Sequence, residues 1–420
     1  MIYKDEDMFD SLRNDAKKIY EYAISESLPD AAVEKALSRL PEVSGRVVLV
    51  AIGKAAWQMA AKASLIVGDK IDSGVVITKY EHSKGKIDKL EIYEAAHPVP
   101  DENGIVATRR ALELTQDLSE NDLVIFLVSG GGSALFEDVE CTLDELRDIT
   151  TQLLRCGASI GEINTVRKHL SNVKGGRFAA HVAPARVFAV VLSDVLGNSL
   201  DMIASGPAAP DSTTVDDVNE IIKKYGLTVS EKLKVLLGRE TPKSVVNAEH
   251  EISGSVSELC ASAATMARKL GYDTMILTDE LTAEAGEVGS FLGSLARYHS
   301  DSKKDIAFVV GGETVVHLKG KGLGGRNQEI ALSAAEKISG VNNVCVFSVG
   351  SDGTDGPTDA AGGYADGRTK KIIEEQGKTL ESYLSDNDSY HALSLSDGLI
   401  FTGATGTNVN DVAVVLIKNH

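Results

Sequence analysis

Apolar residues along this chain fall into two alternating patterns. Short unbroken runs at Val47–Ile52, Val75–Thr78, Leu123–Val128 and Val187–Leu192 have the length and β-branched content of strands covered on both faces. Between them, Ala55–Ile66 and Asn103–Leu118 space their apolar positions as helices do. Residues 6–40 read as two amphipathic helices, with Phe9, Leu12, Ala16, Ile19, Tyr20 and Ala23 close to the helical period. A polar, helix-rich stretch from Thr213 to Glu249 closes this first series. A second series of strands follows at Thr274–Leu277, Ile306–Val310, Val344–Val349, Leu399–Thr402 and Val412–Ile417. The alternation predicts two α/β domains with a junction near 235–250 and ligands at the carboxyl ends of the strands. Length agrees, since 420 residues exceed one ordinary core.

Composition narrows the class of partner. A net charge of −18 sets most of the surface against nucleic acid, so any anionic substrate needs local cations to receive it. The four cysteines (Cys141, Cys156, Cys260 and Cys345) form no CxxC pair, which predicts reduced thiols and no structural zinc. No apolar stretch is long enough to span a bilayer, and the acidic Met1–Asp10 segment lacks the basic-then-apolar order of a signal peptide. A cytoplasmic protein without membrane or nucleic-acid partners is expected, and a homodimer is left open.

The residues that could carry chemistry sit at strand ends. Ser129, Gly130, Gly131, Gly132 and Ser133 directly follow an apolar strand, and consecutive glycines let backbone amides converge on a phosphate. No GKS or GKT follows, so this is not a Walker A loop. Lys54, at the end of the first strand, can aim an ammonium at transferring phosphates. The segment from Asn164 to Arg177 carries Arg167, Lys168, Lys174 and Arg177; Asn164 and Lys168 share a helical face, and an anion-binding role is expected against the plainer alternative of a basic surface patch. Asp194 follows another strand and is a candidate Mg²⁺ ligand or proton acceptor, with helix capping as its rival. His97, held in Ala96-His97-Pro98, reads as structural or substrate-orienting.

In the second half, Glu313 follows a strand, and Gly320, Gly322 and Gly325 match G-x-G-x-x-G between a strand and a helix. A dinucleotide site must therefore be weighed, although Arg326-Asn327-Gln328-Glu329 puts polar residues where packing onto a sheet is expected. Asp352 and Asp355 lie in a Gly-rich loop and could hold a hydrated Mg²⁺, or simply form a turn.

Eight segments together, VAIGKAA, AAHPVPD, VSGGGSAL, INTVRKHLSNVKGGR, LSDVLGN, ASGPAAPDSTT, GGETVVHLKGKGLGGRNQE and VGSDGTDGPTDAAGG, resemble the type II glycerate kinases, whose C-terminal half is called the MOFRL domain. They run in one order from about residue 47 to 363. The resemblance implies two α/β/α sandwich domains around an interdomain cleft. The first is Rossmann-like and spans 1–240; the second is a smaller MOFRL-type domain over 241–420. It also implies ATP as donor, a divalent metal such as Mg²⁺, and glycerate as acceptor. The family's active-site lysine and arginine fall on Lys54 and Arg326. Nucleotide contacts are expected from Ser129–Ser133, Asn164, Lys168 and Glu313, and metal contacts from Asp194, Asp352 and Asp355. Resemblance to archaeal-type members implies phosphorylation at the 2-hydroxyl, while the residue reading leaves O2 and O3 both open. Some members carry the label hydroxypyruvate reductase, so an NAD(P)H-dependent reductase is the runner-up, followed by a non-catalytic binder of an acidic metabolite.

Overall fold

The computed structural model describes residues 2–419; Met1, where the acidic N-terminal stretch begins, lies outside them. The chain opens with α1 (Ile2–Glu26) and α2 (Pro29–Leu37), the two helices that the spacing predicts. It divides into two compact units, Pro29–Ser253 and Met1–Leu28 with Gly254–His420.

The Pro29–Ser253 unit holds β1 (Val47–Ile52), β2 (Ser73–Lys79), β3 (Leu90–Ala95), β4 (Leu123–Val128), β5 (Arg186–Val191) and β6 (Ala248–Ile252). They pair in the order β3-β2-β1-β4-β5-β6, and every pairing is parallel. This is the doubly wound order, in which the chain reverses direction across the sheet between β1 and β4 and opens a crevice there. All six residues of β1 and of β4 are buried, which requires cover on both faces. Alternate residues Val48, Val50, Ile52, Val124, Phe126 and Val128 pack in one apolar cluster with Phe136 and Phe178. The unit's other helices are α3 (Ala56–Val67), α4 (Glu102–Leu114), α5 (Gly132–Leu135), α6 (Leu143–Arg155), α7 (Ile160–Leu170), α8 (Arg177–Val182), α9 (Val215–Tyr225) and α10 (Glu231–Leu237).

The other unit contains α11 (Val256–Lys269), β7 (Asp273–Leu281), α12 (Ala285–His299), β8 (Ile306–Gly312), α13 (Arg326–Ile338), β9 (Val344–Gly350), β10 (Gly362–Asp366), α14 (Thr369–Glu374), α15 (Leu380–Ser385), α16 (Ser389–Leu395), β11 (Leu399–Ile400) and β12 (Asp411–Ile417). Its sheet runs β11-β10-β9-β12-β8-β7 and is mixed: β12 is antiparallel to both neighbours, whereas β7 and β8 are parallel.

Two differences from the expected 1–240 and 241–420 division have physical causes. Helix α1 packs with this second unit: Asp15, buried in α1, accepts from Tyr272 Oη at 2.9 Å and Lys418 Nζ at 2.6 Å, and Tyr20 meets Phe347 edge-on. These partners lie hundreds of residues away, and no local pattern announces them. Strand β6 completes the first sheet beyond residue 240; its sequence Ala-Glu-His-Glu-Ile is half-buried at a sheet edge and lacks an apolar run. Among the described residues, no helix is long and apolar enough to cross a membrane.

Candidate active site

The carboxyl ends of β1 and β4 lie side by side at the crevice, and two backbone hydrogen bonds join their loops. Lys54 N donates to Gly130 O at 2.9 Å, and Ser129 N donates to Ile52 O at 3.0 Å. Gly53 has φ 111°, and a side chain there would overlap the Ser129 carbonyl and hydroxyl, so glycine is needed for this close approach. The Ser129 hydroxyl is spent on the same junction, accepting from Ala55 N at 3.1 Å and donating to Ile52 O at 3.2 Å. Ser129 is buried and holds the residue before α3, while Lys54 itself is exposed.

Around this junction the Gly-rich loop is surrounded by functional groups. A methyl on Gly131 (φ 87°) would stand 3.0 Å from the His97 ring and 3.3 Å from Lys54 Cγ, and one on Gly130 would stand 2.6 Å from Asp194 Oδ2. Lys54, His97, Asp194 and the bare backbone of Gly130–Gly131 therefore converge. Burial, aided by the positive charge of Lys54, lowers the pKa of His97 and favours its neutral form. Ser133 is held by its hydroxyl, 3.0 Å from Ser205 Oγ, which donates in turn to Asn164 Oδ1 at 3.3 Å. Ala204 and Ser205 are in left-handed backbone conformation, with φ of 51° and 61°, a strain of roughly 1–2 kcal/mol each.

The cationic segment resolves differently from its expected role. Lys168 is 1% exposed, and its ammonium lies between Asp201 Oδ2 at 3.1 Å and Asp211 Oδ1 at 3.2 Å. Lys174 is fully buried against Glu137 Oε2 at 2.8 Å and Phe136 O at 2.8 Å; burial pulls it down to about 8 against the attraction of Glu137. Arg177 donates to carbonyls of Lys168, Ser171 and Arg239, closing the end of α7. Segment spacing shows cations but not their counter-ions, and Asp201, Asp211 and Glu137 come from distant parts of the chain. Asn164, also buried, belongs to the Ser133–Ser205 string.

In the other unit, Arg326 opens α13. Its Nε and Nη2 donate to Asp411 Oδ2 and Oδ1 at 2.5 and 3.2 Å, and Nη1 donates to Glu313 Oε1 at 3.0 Å. Burial raises the pKa of Asp411 to about 6, although Arg326 opposes the shift. Charge pairing with Asp411 and Glu313 outweighs the burial cost at Arg326 and stabilises its cation. Asp411 is a partner of Arg326 that sequence reasoning missed. Its only signal is its place as the first residue of a strand, opposite Gly312 and Gly350.

The expected metal ligands of this unit are committed elsewhere. Asp355 is 2% exposed and caps α13, its carboxylate accepting from Asn327 N at 3.1 Å and Gln328 N at 2.8 Å. Asp352 Oδ1 accepts from Thr354 N at 3.0 Å in a tight turn. Among the described residues, no group of three or more His, Cys, Asp or Glu side chains is placed to hold a metal. The chemistry of the donors suits Mg²⁺ better beside Gly130. A hydrated Mg²⁺ bound mainly through polyphosphate needs only one or two protein carboxylates, and Asp194 offers one there. The G-x-G-x-x-G stretch forms no dinucleotide cradle: side chains at Gly320, Gly322 and Gly325 would overlap Asp386, Asp388 and Asp355, and Asp355 already occupies the amides of the helix start.

Comparison with known proteins places these features in a family. A domain of unknown function, DUF4147, matches residues 15–238, and the MOFRL family matches residues 306–411. A D-glycerate 2-kinase of Thermotoga maritima is 53% identical over 98% of this chain and 100% of its own length. The chain belongs to the type II glycerate kinase family. A glycerate 2-kinase of Pyrococcus horikoshii shares 41% identity over 90% of this chain and 89% of its own. The crystal structure of a Thermotoga maritima glycerate kinase superimposes with a TM-score of 0.94 at 52% identity, covering 97% of this chain and all of that one. In this type II glycerate kinase family member, the mixed sheet and the doubly wound sheet are thus family architecture.

Proposed function

We propose that this chain is a glycerate kinase that transfers the γ-phosphoryl group of ATP to O2 of D-glycerate, yielding 2-phosphoglycerate. The observation that carries the reading is the junction at the β1/β4 switch point, where a lysine and a bare glycine backbone are locked together beside a carboxylate. Relatives named as glycerate 2-kinases support the acceptor and the position of attack.

Phosphoryl transfer asks a protein for positioning and charge neutralisation more than for covalent work. The Gly130–Gly132 backbone receives the polyphosphate and Lys54 neutralises the group in flight; Arg326 is a second catalytic cation. Asp411 and Glu313 orient the Arg326 guanidinium. Asp194 takes the proton released by the glycerate hydroxyl or holds the metal. Mg²⁺, when bound, supplies charge neutralisation at the phosphate oxygens. His97, kept neutral, orients substrate beside Gly131. The reaction belongs to the cytosol, where ATP and Mg²⁺ are abundant.

Lys54→Ala and Arg326→Ala, assayed separately for ATP-dependent phosphoglycerate formation, should each lose on the order of 10²–10⁴ in rate. Near-normal turnover in both would reject the assignment.

A further inference from the structure

The loop that receives the phosphates is not held by the β1/β4 junction alone. From α7, Arg167 Nη2 donates to the carbonyl oxygen of Ser133 at 2.9 Å, three residues beyond the carbonyl that Lys54 N contacts. The same Nη2 lies 3.9 Å from Glu137 Oε2. Glu137 is buried completely, with Lys174 Nζ at 2.8 Å from Oε2 and Ser171 Oγ donating to Oε1 at 2.5 Å. Arg167 is itself largely enclosed, 14% exposed by side chain, and its Nε is buried without a hydrogen-bond partner. A guanidinium held this way, with one donor spent on a loop carbonyl and another left unsatisfied, is costly unless its placement does something.

We infer that Arg167 is a positioning residue: with Glu137 and Lys174 as its buried support, it tethers Ser133 and keeps the Gly130–Gly132 amides in their phosphate-receiving arrangement before nucleotide arrives. This rests on the kinase reading for its consequence in catalysis, but the tether itself is a property of the free protein. Ser133 is pinned at two points, its carbonyl by Arg167 and its hydroxyl by Ser205. Releasing the carbonyl leaves Ser133 held by its hydroxyl contact alone, at the end of a glycine run with large conformational freedom. The cost falls on nucleotide binding, because the loop must then be ordered by the ligand.

Arg167→Lys is the informative variant. Lysine keeps a positive charge opposite Glu137, so the buried network stays balanced, yet its nitrogen ends one bond short of Nη2 and cannot reach Ser133 O in the same way. A residue that only balances charge would be rescued by lysine. The tether predicts instead that Arg167→Lys raises the KM for ATP about tenfold, with kcat and the KM for glycerate changing less than about threefold. In the ligand-free protein, hydrogen exchange of the Gly132–Phe136 amides should accelerate about tenfold, with β4 amides unchanged. Wild-type exchange and wild-type KM for ATP in Arg167→Lys would overturn the tether and leave the kinase reading standing. Accelerated exchange in a protein that forms no phosphoglycerate would do the reverse. Arg167→Met, which also removes the charge, is expected to show the same loop exchange with an added loss of thermal stability.

Discussion

Lys168 offers the sharpest test of how the cationic segment works. Replacing it with methionine keeps the chain length and removes the ammonium that lies between Asp201 and Asp211. Asp211 is left buried, still accepting from Thr213 N at 3.0 Å and from the Thr213 and Thr241 hydroxyls at 2.9 Å. Removing one partner of a buried pair costs about 3–5 kcal/mol, and these surviving hydrogen bonds place the loss near the lower end, about 3 kcal/mol. For a unit of this size each kcal/mol lowers the midpoint by about 2–4 °C, so a fall of roughly 6–12 °C is expected by calorimetry. The pH dependence gives a second readout. Burial pushes Asp211 up, but the Thr213 amide, Lys168 and the threonine hydroxyls pull harder, leaving its folded pKa below the unfolded one. Such a carboxylate adds stability above its unfolded pKa, near 3.9, and loses it as pH falls through the lower folded value. Lys168→Met should flatten that acid slope, and adding Asp211→Asn should restore part of the lost midpoint. The KM for ATP, measured well below the midpoint, should stay within twofold. An unchanged midpoint with a tenfold higher KM for ATP would refute the structural assignment and return Lys168 to ligand binding.

Other outcomes follow from the same geometry. Asp411 has a folded pKa of about 6, above its unfolded value, so its protonation stabilises the fold as pH falls through 6 while withdrawing the anion that orients Arg326. The kcat/KM profile should therefore carry an acid limb near pH 6, and Asp411→Asn should show a lower and flatter profile; an unaltered limb in that variant would exclude Asp411 as its source. Gly131→Ala forces a methyl to 3.0 Å from His97 at φ 87°, and steady-state kinetics should show at least a tenfold loss of kcat/KM, at a strain of about 1–2 kcal/mol plus the displacement of His97 and Lys54. Wild-type kinetics would separate the loop from the site. Asp355→Ala uncaps the buried amides of Asn327 and Gln328 and should lower the thermal midpoint by the equivalent of about 1–3 kcal/mol; if Mg²⁺ dependence changed while stability did not, Asp355 would be a metal ligand after all.

Much of the fold was legible because central strands have a simple signature. Val47–Ile52 and Leu123–Val128 are strands with the predicted ends, being buried on both faces and apolar throughout. The strands that escaped notice, β3, β6 and β10, are polar or glycine-containing. Two of them, β3 and β6, form the half-covered edges of the first sheet, where burial asks for fewer apolar residues. Helix α1 could not be assigned to its unit from sequence, because its attachments to Tyr272 and Lys418 are long-range.

At the candidate site, the glycine run after β4 and the lysine after β1 were singled out from sequence, and the structure joins their loops through Lys54 N to Gly130 O and Ala55 N to Ser129 Oγ. Isolated charges misled. Lys168 and Asp355 look like ligand-binding groups until their partners are known, since a buried ion pair and a helix cap use the same residue types as a phosphate or metal site. Asp411 was invisible for the converse reason: one acidic residue at a strand start has no meaning until Arg326 is placed beside it.

The most direct test of the account is phosphorus NMR of the product made by the purified protein from ATP, Mg²⁺ and D-glycerate. The account predicts a phosphomonoester resonance that coincides with 2-phosphoglycerate and grows as ATP is converted to ADP. A resonance matching 3-phosphoglycerate would move the attack to the other hydroxyl, and no phosphoglycerate at all, with ATP intact, would contradict the assigned chemistry.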